Sequence, residues 1–189
     1  MILATNNKGK LKEIRKLLDN YNIFSLEEKN IHVDVLEDQD SFLGNAKKKA
    51  MEIYEISKEP TIADDSGICI DCLDGFPGVM THRFLGEDAT PRMRNEYLLK
   101  EVNKHSNRSA QVVCNLVYYD GKNTLVGEGV LNGVIASECR GPNGFGFDEI
   151  FEIQDGRTLA ELSLDEKNEI SARAMAIRDL KAKMDKLLK

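Results

Sequence analysis

The sequence lacks long apolar runs, and this absence excludes a membrane-spanning helix. No run approaches the roughly 18 residues that a span requires. Met1–Ala4 is too short for the core of a signal peptide and follows no basic segment, so we expect a cytoplasmic protein. The 189 residues are 41% hydrophobic and 31% charged, which predicts one globular domain over 1–189, with one core or two lobes.

The chain has no excess of positive charge. Its formal net charge is −6, which argues against binding along the phosphates of a nucleic acid polymer. A small anionic ligand bound by a local cluster of lysines and arginines is compatible with this charge balance. We therefore expect a small-molecule partner rather than a nucleic acid or a membrane.

Cysteines are few and scattered, and the common nucleotide-binding signatures are missing. Cys69 and Cys72 form a C-x-x-C, but the second pair that zinc would need is absent, because Cys114 and Cys139 are isolated. We interpret the cysteines as small apolar residues. Neither a Walker P-loop nor the G-x-G-x-x-G dinucleotide pattern occurs.

Two adjacent carboxylates stand between two apolar runs. Asp64 and Asp65 follow Thr61–Ala63 and precede Ile68–Cys72, with Ser66-Gly67 supplying turn chemistry. One interpretation is a surface turn with solvated aspartates. The other is a metal site at the end of a strand, because carboxylate oxygens suit Mg²⁺.

A polar, glycine-containing loop follows the first strand. The pattern predicts a buried strand over Met1–Thr5, then the loop Asn6–Lys10, then a helix with Leu11, Ile14 and Leu18 on one face. Free backbone N–H groups at such a helix start could bind a phosphate, and Lys8 and Lys10 would add charge. An exposed basic loop is the alternative.

An acidic loop, Glu37–Asp40, precedes a helix that Ser41 is placed to cap. That helix carries Lys47, Lys48 and Lys49 in succession. Consecutive residues lie about 100° apart around a helix, so the three lysines cannot share one environment. Such a run is usually a solvated face, from which one of the three lysines could turn inward to a phosphate.

Glycine and phenylalanine dominate the loop Gly141–Asp148. Phe145 or Phe147 could stack on a flat ring, or both could belong to the core ahead of a strand over Ile150–Ile153. Further along, Lys167 and Arg173 would point about 120° apart on one continuous helix. If both bind one ligand, we expect a break near 168–171, with Ser171 capping a second helix.

Strands and helices alternate along the chain in a pattern typical of a mixed α/β sheet. A helix should open at Thr90-Pro91, with Met93, Tyr97 and Leu98 on its core face. The remaining predicted strands are Ile23–Leu26, Ile31–Val35, Val112–Tyr119 and Thr124–Glu138, the last interrupted by glycines that suggest bulges.

Six motifs, in this order, resemble those of the inosine/xanthosine triphosphate pyrophosphatase family. They are Ala4-Thr5-Asn6-Asn7-x-Gly9-Lys10, Ser41-Phe42-x-x-Asn45-Ala46, Ala63-Asp64-Asp65-Ser66-Gly67, Phe76-Pro77-Gly78, Gly144-Phe145-Gly146-Phe147-Asp148 and Glu166-Lys167-Asn168-x-Ile170-Ser171. Each motif is weak alone, but six in register over nearly the whole chain make a specific signal. The resemblance implies Mg²⁺-dependent hydrolysis of non-standard purine nucleoside triphosphates to the monophosphate and pyrophosphate.

The resemblance also implies an architecture and a set of roles. It implies an elongated mixed β-sheet with flanking helices, two lobes around a central substrate cleft, and a homodimer. Asp65 matches the catalytic acid, which is also a metal ligand, and Glu37 matches a further metal-site carboxylate; Asp64, beside Asp65, is assigned to the same metal site. The implied substrate-binding residues are Thr5, Asn6, Asn7, Lys8, Gly9, Lys10, Lys49, Ser66, Phe145, Gly146, Phe147, Asp148, Lys167 and Arg173.

Two departures from the family pattern affect substrate choice. Many members have Ser-His-Arg-Gly where this chain has Ser171-Ala172-Arg173-Ala174, and an alanine cannot read a base by hydrogen bonding. His82 is a candidate substitute. Many members also carry glutamate where this chain has Gly44, which makes Glu37 more important. A different base preference, or a nucleotide-binding module with weak catalysis, therefore stays open.

Overall fold

The computed structural model describes residues 1–86 and 88–188 of the chain. Glu87, and Lys189 at the end of the predicted 1–189 domain, lie outside the described residues. The strands are β1 Ile2–Leu3, β2 Phe24–Ser25, β3 Thr61–Ile70, β4 Ser109–Tyr119, β5 Thr124–Ile135 and β6 Phe151–Glu152. The helices are α1 Lys8–Leu17, α2 Phe42–Ser57, α3 Pro91–Val102, α4 Leu164–Ile170 and α5 Ala172–Leu187.

The strands form one mixed sheet in the order β2-β1-β3-β4-β5-β6. Strand β1 pairs in parallel with both β2 and β3, whereas β5 and β6 are antiparallel. The turn between β4 and β5 falls at the predicted Asp120-Gly121, where the Asp120 N–H bonds to the carbonyl of Asn123. The predicted mixed α/β sheet with flanking helices is confirmed.

The chain divides into two compact units. The first comprises Met1–Asp65, Cys114–Gly129 and Ser171–Lys189, and the second comprises Ser66–Val113 and Val130–Ile170. The core cluster of the first unit brings strand residues against one face of α2, with Ile2, Ala4, Leu26, Ala46, Ala50, Ile53, Ala63 and Val117 buried together. The substrate cleft implied by the resemblance stays a prediction.

Helix starts fall where polar residues can accept from the first backbone N–H groups. The side chains of Asn7, Ser41, Thr90 and Ser171 each cap the helix that follows. Such a cap stabilises a helix by about 1 kcal/mol. The predicted caps at Ser41, Thr90 and Ser171 are therefore confirmed, and α4 and α5 are separate helices as the break near 168–171 required.

The turn expected at Asp64–Gly67 is wrong. These residues lie inside β3, which continues from Thr61 to Ile70 and is buried over most of its length. β3 pairs with β1 at Thr61 and Ile62 and neighbours β4 on its other side, and the strand continues through the polar residues. Local turn propensity was overridden by tertiary pairing.

Two other local expectations also differ from the structure. Ile31–Val35, a segment that the structure describes in full, forms no strand. Ile31 and Val35 instead pack partly buried against the core of the first unit, which gives them an apolar role without strand pairing. On α3, Leu98 is buried as expected, but Met93 and Tyr97 are exposed.

The glycines of β5 allow α5 to approach the strand closely. A Cβ on Gly127 would overlap the carbonyl oxygen of Ala176, and one on Gly129 would overlap that of Ala172. In the structure these glycines have a packing role, since only glycine leaves room for the helix backbone, and the bulges suggested by the sequence stay a prediction.

None of the described helices has both the length and the hydropathy that crossing a membrane requires.

We expect Gly129→Ala to destabilise the protein by about 2 kcal/mol, because its methyl group would overpack the contact with α5. Chemical denaturation would measure the free energy of unfolding. Asn132→Ala, at an exposed position on the same strand, should change it by less than about 0.5 kcal/mol. Equal stability of the two variants would contradict the close-packing explanation.

Candidate active site

Asp64 is a fully buried carboxylate held between two cations. The ammonium of Lys10 on α1 lies 3.1 Å from its Oδ2, and the Arg173 guanidinium on α5 lies 3.3 Å from the same oxygen. Burial alone would raise its pKa, but the attraction of Lys10, Arg173 and Lys49 outweighs burial and holds the pKa well below the usual range. Asp64 is therefore ionised at neutral pH.

Arg173 has a second buried partner, Glu13 on α1, whose Oε2 lies 2.5 Å from its Nη1. Burial opposes the charged guanidinium, yet Asp64 and Glu13 raise the pKa of Arg173 above its usual value. Two cations, Lys10 and Arg173, thus balance two carboxylates, as a buried ionic group requires. Arg173, expected to bind substrate, here secures a carboxylate.

Glu13 was missed from the sequence. A signal was present, because Lys10, Glu13 and Ile14 follow the three- and four-residue spacing of one helix face, and all three are buried. An oppositely charged pair inside an apolar stripe indicates that another charge must meet it in the folded protein.

Asp65 points to the other face of β3, since neighbouring side chains of a strand alternate. The Nδ2 of Asn45, on α2, donates to its Oδ2 at 2.9 Å. Burial is the largest influence on this carboxyl; Lys49 opposes it, Glu37 adds to it, and the pKa of Asp65 is raised to about 6. A carboxylate with a pKa near neutrality is suited to accept a proton.

Of the three consecutive lysines on α2, one turns inward as expected. Lys47 is exposed, Lys48 pairs with Asp38 at 2.8 Å, and Lys49 forms an ion pair with Glu37. Burial disfavours the Lys49 ammonium, but Asp64, Glu37 and Asp65 together raise its pKa. The acidic loop thereby brings Glu37 to the same group of charges as Asp65.

The start of α1 differs from the expected row of free N–H groups. The side-chain oxygen of Asn7 accepts from the N–H groups of Gly9 and Lys10, at 2.9 and 3.2 Å. Thr5 in turn accepts from the Asn7 N–H at 3.2 Å. The side chains of Asn6 and Lys8 are exposed. A phosphate can therefore reach these two side chains more readily than the N–H groups of Gly9 and Lys10, which Asn7 already occupies.

In the second unit, Phe145, Asp148 and Lys167 form a compact cluster. The Oδ2 of Asp148 accepts from the Phe145 N–H at 2.8 Å and from Lys167 Nζ at 2.5 Å. The same ammonium lies 4.5 Å from the centre of the Phe145 ring. A Cβ on Gly144 would overlap the Asp148 carboxylate, and the backbone at Gly144 has a φ of +76°, so glycine is required.

The rest of this loop is held by α3. Asn95 donates to the carbonyl of Gly146 at 2.9 Å, and a cavity of about 30 Å³ lies beside Gly146 and Phe147, with His82 on its lining. Phe145 and Phe147 are both half-buried, between the expected alternatives of stacking surface and core. Ser66 is buried in β3.

The residues predicted from the sequence thus fall into two groups. The first unit pairs Asp64 with Lys10 and Arg173, and it brings Glu37, Lys49 and Asp65 together, with the Lys49 ammonium attracted by both aspartates. The second unit gathers Phe145, Gly146, Phe147, Asp148 and Lys167. Their assignment as substrate and metal ligands stays a prediction.

A divalent metal would find hard oxygen donors in the first unit. Asp64 Oδ1 is buried and has no hydrogen-bond partner, so it is an acceptor that a cation could satisfy. Within residues 1–86 and 88–188, no group of three or more His, Cys, Asp or Glu side chains is arranged to hold a metal. Mg²⁺ commonly uses one or two carboxylates and completes its shell with water and phosphate oxygens, so these residues fit it.

We expect Asp65→Asn to stabilise the metal-free protein at pH 7.5 by as much as about 3 kcal/mol. The folded pKa, about 6, exceeds the ordinary value of 3.8. Ionised Asp65 therefore destabilises the fold fully above pH 6, and this cost disappears as the pH falls below 4. Urea denaturation in the presence of a chelator would measure the free energy of unfolding at pH 4 and at pH 7.5.

The matched control is Asp19→Asn, whose carboxylate is exposed. It should change the free energy of unfolding by less than about 0.5 kcal/mol at either pH. A gain for Asp65→Asn that is the same at pH 4 and pH 7.5 would contradict the raised pKa.

Comparison with known proteins places this arrangement in a family. The chain is 40% identical to a dITP/XTP pyrophosphatase of Clostridium perfringens, covering 100% of this chain and 98% of that protein. It is 38% identical to a dITP/XTP pyrophosphatase of Clostridium tetani, over 97% and 95% of the two chains.

Solved structures agree with the sequence relatives. The Ham1 protein of Staphylococcus aureus superposes with a TM-score of 0.89 at 32% identity, covering 98% of both chains. A HAM1 protein from Coxiella burnetii gives 0.89 at 35% identity with the same coverage. The sequence model of the Ham1 family matches residues 1–183. The chain therefore belongs to the Ham1 family.

Proposed function

We propose that this protein hydrolyses non-standard purine nucleoside triphosphates, such as ITP, dITP and XTP, to the nucleoside monophosphate and pyrophosphate. The observation that carries the proposal is the environment of Asp65. It is a buried carboxylate with a pKa of about 6. Asn45 orients it, and it interacts electrostatically with Lys49 and Glu37. The names of the full-length relatives supply the substrate class.

Asp65 is the general base of the proposed reaction. Its carboxylate accepts a proton from the water that attacks the α-phosphorus, and pyrophosphate leaves from the opposite side. Asn45 fixes the carboxylate through Oδ2, which directs the remaining oxygen toward the water. A pKa near 6 leaves Asp65 mostly ionised at pH 7 while keeping it basic enough to take the proton.

Lys10 and Lys49 would bind the triphosphate. In the structure they pair with Asp64 and Glu37, respectively. A triphosphate brings about four negative charges, so it can compete for both ammonium groups. Bound Mg²⁺ would supply further charge neutralisation at the phosphates, with Glu37 and Asp65 as one candidate pair of protein ligands and Asp64, on the other face of β3, as a separate candidate.

Within the second unit, the cluster of Phe145, Asp148 and Lys167 offers groups that suit a purine base. Phe145 offers an aromatic surface, and the ion pair of Asp148 with Lys167 fixes a carboxylate and an ammonium beside it. Such fixed polar groups can select a base by its hydrogen-bonding edge. The segment Thr5–Lys10, Ser66 and Arg173 complete the proposed substrate contacts.

A different base preference is the second candidate, and one observation favours it. Ala172, which stands in place of a histidine in many relatives of this sequence pattern, is buried and cannot read a base. His82 is exposed and lines the cavity beside Gly146. An imidazole there would present different donors and acceptors to the base.

A panel of nucleoside triphosphates with Mg²⁺ tests the function. We expect kcat/KM for ITP and XTP to exceed that for ATP and GTP by at least about 100-fold, with pyrophosphate rather than orthophosphate released. A chelator should abolish turnover. Asp65→Asn should lower kcat by about 100-fold or more, because the base is lost, whereas Asp19→Asn should match the wild type.

The panel also separates the alternatives. Preferential turnover of a pyrimidine or another purine would support the second candidate. Tight binding of ITP without turnover would indicate a regulatory nucleotide-binding module. Release of orthophosphate, or full activity of Asp65→Asn, would overturn the proposed chemistry.

We further propose a homodimer and a cytoplasmic location. The second unit exposes a set of large apolar side chains, namely Phe76, Met80, Leu85, Met93 and Tyr97. The Phe76 ring lies 5.2 Å from that of Phe84 and 6.4 Å from that of Tyr97, so part of the set is continuous. Exposed apolar surface of this kind is typical of protein interfaces.

Sedimentation analysis tests the dimer. The wild type should sediment as a dimer, and Met93→Glu combined with Tyr97→Glu should give a monomer, since both substitutions place charge on the exposed apolar side of α3. Ile56→Glu, at an exposed apolar position of the first unit, should remain dimeric. A monomeric wild type would overturn the proposal.

A further inference from the structure

The acidic loop has no regular secondary structure, yet it is tied to a helix at one point. Residues 31–40 form neither helix nor strand. The backbone N–H of Gln39 donates to Oδ1 of Asn45 at 3.0 Å. Asn45 lies in the first turn of α2 and is fully buried, with an exposed fraction of 0%. Because the Asn45 side chain is buried, breaking this hydrogen bond would leave its amide oxygen without a partner, which is costly.

The other end of the same amide holds Asp65. Asn45 Nδ2 donates to Asp65 Oδ2 at 2.9 Å. The orientation of the amide is determined by both partners, because a backbone N–H can only donate and an ionised carboxylate can only accept. One buried side chain therefore joins the loop that carries Glu37 to the carboxylate of β3.

Gly44 makes this connection possible. A Cβ at position 44 would lie 2.9 Å from the Cβ of Gln39 and 2.9 Å from the hydroxyl of Ser41. The loop thus occupies the space that any larger side chain at position 44 would need. Glycine at 44 and asparagine at 45 act together, the first by leaving room and the second by forming the hydrogen bonds.

We propose that Asn45 is a positioning residue that couples the acidic loop to Asp65. By accepting from Gln39 it holds Glu37, two residues earlier, near Lys49. By donating to Asp65 Oδ2 it fixes which carboxylate oxygen faces the reacting water. The second part rests on the proposed function, whereas the first concerns the ligand-free protein alone.

Amide hydrogen exchange in the ligand-free protein tests the loop. In Asn45→Ala, we expect the Gln39 amide to exchange at least about 10-fold faster, because its acceptor is gone. In Asn45→Asp, the carboxylate still accepts, so the rate should stay within about 3-fold of the wild type. Unchanged exchange in Asn45→Ala would overturn the proposed hold on the loop.

Steady-state kinetics test the contact with Asp65. Both Asn45→Ala and Asn45→Asp remove the donor, so kcat should fall at least about 10-fold, while KM changes less than about 3-fold. Asn45→Asp keeps the acceptor for Gln39 but also places a second carboxyl beside Asp65, so Asn45→Ala is the decisive variant for this contact. A wild-type kcat in Asn45→Ala would overturn the positioning of Asp65.

Asn123→Ala is the matched control, since it also removes an asparagine that donates to an aspartate, Asp120, at 3.0 Å in the β4–β5 turn. It should leave both kcat and Gln39 exchange unchanged, and a loss of either would show that the effects are not specific to Asn45. If the wild type hydrolyses no nucleoside triphosphate, the proposed function fails. The exchange data then still decide whether Asn45 holds the loop.

Discussion

The burial of ionised carboxylates in the central strand β3 is the constraint on which the arrangement of the first unit depends. An isolated buried charge is too costly to persist, so Asp64 requires cations at contact distance. Lys10 and Arg173 provide them, and Glu13 balances the second cation. Because these residues come from β3, α1 and α5, their pairing fixes both helices against the strand.

The two faces of β3 serve different purposes. Around Asp64 the charges are balanced, and the ion pairs hold the carboxylate ionised. Burial and the charge of Glu37 raise the pKa of Asp65 by more than Lys49 lowers it, so this carboxyl has a pKa of about 6. Asp65 thus retains an unfavourable charge that a proton or a cation can relieve, which is the property expected of a reacting group.

The break between α4 and α5 assigns different surroundings to Lys167 and Arg173. Ser171 caps α5, and the chain passes from the second unit to the first at this residue. Lys167 holds Asp148 beside Phe145, while Arg173 enters the buried network of Asp64. Close packing of α5 on the glycines of β5 keeps the start of that helix in place, which fixes Arg173. A local cap thus separates the buried cation that pairs with Asp148 from the one that pairs with Asp64.

The sequence by itself determined the mixed α/β class, the helix starts at Ser41, Thr90 and Ser171, and the inward turn of one lysine in Lys47–Lys49. These features follow from short-range patterns, namely caps, hydrophobic spacing and the angle between helix residues. Only the tertiary structure decided that Asp64 and Asp65 lie within a strand and face opposite ways, that Ile31–Val35 is not a strand, and that Glu13 and Asn45 hold the site. Those outcomes depend on strand pairing and on partners up to 160 residues away in the chain, as for Glu13 and Arg173, which no local pattern can specify.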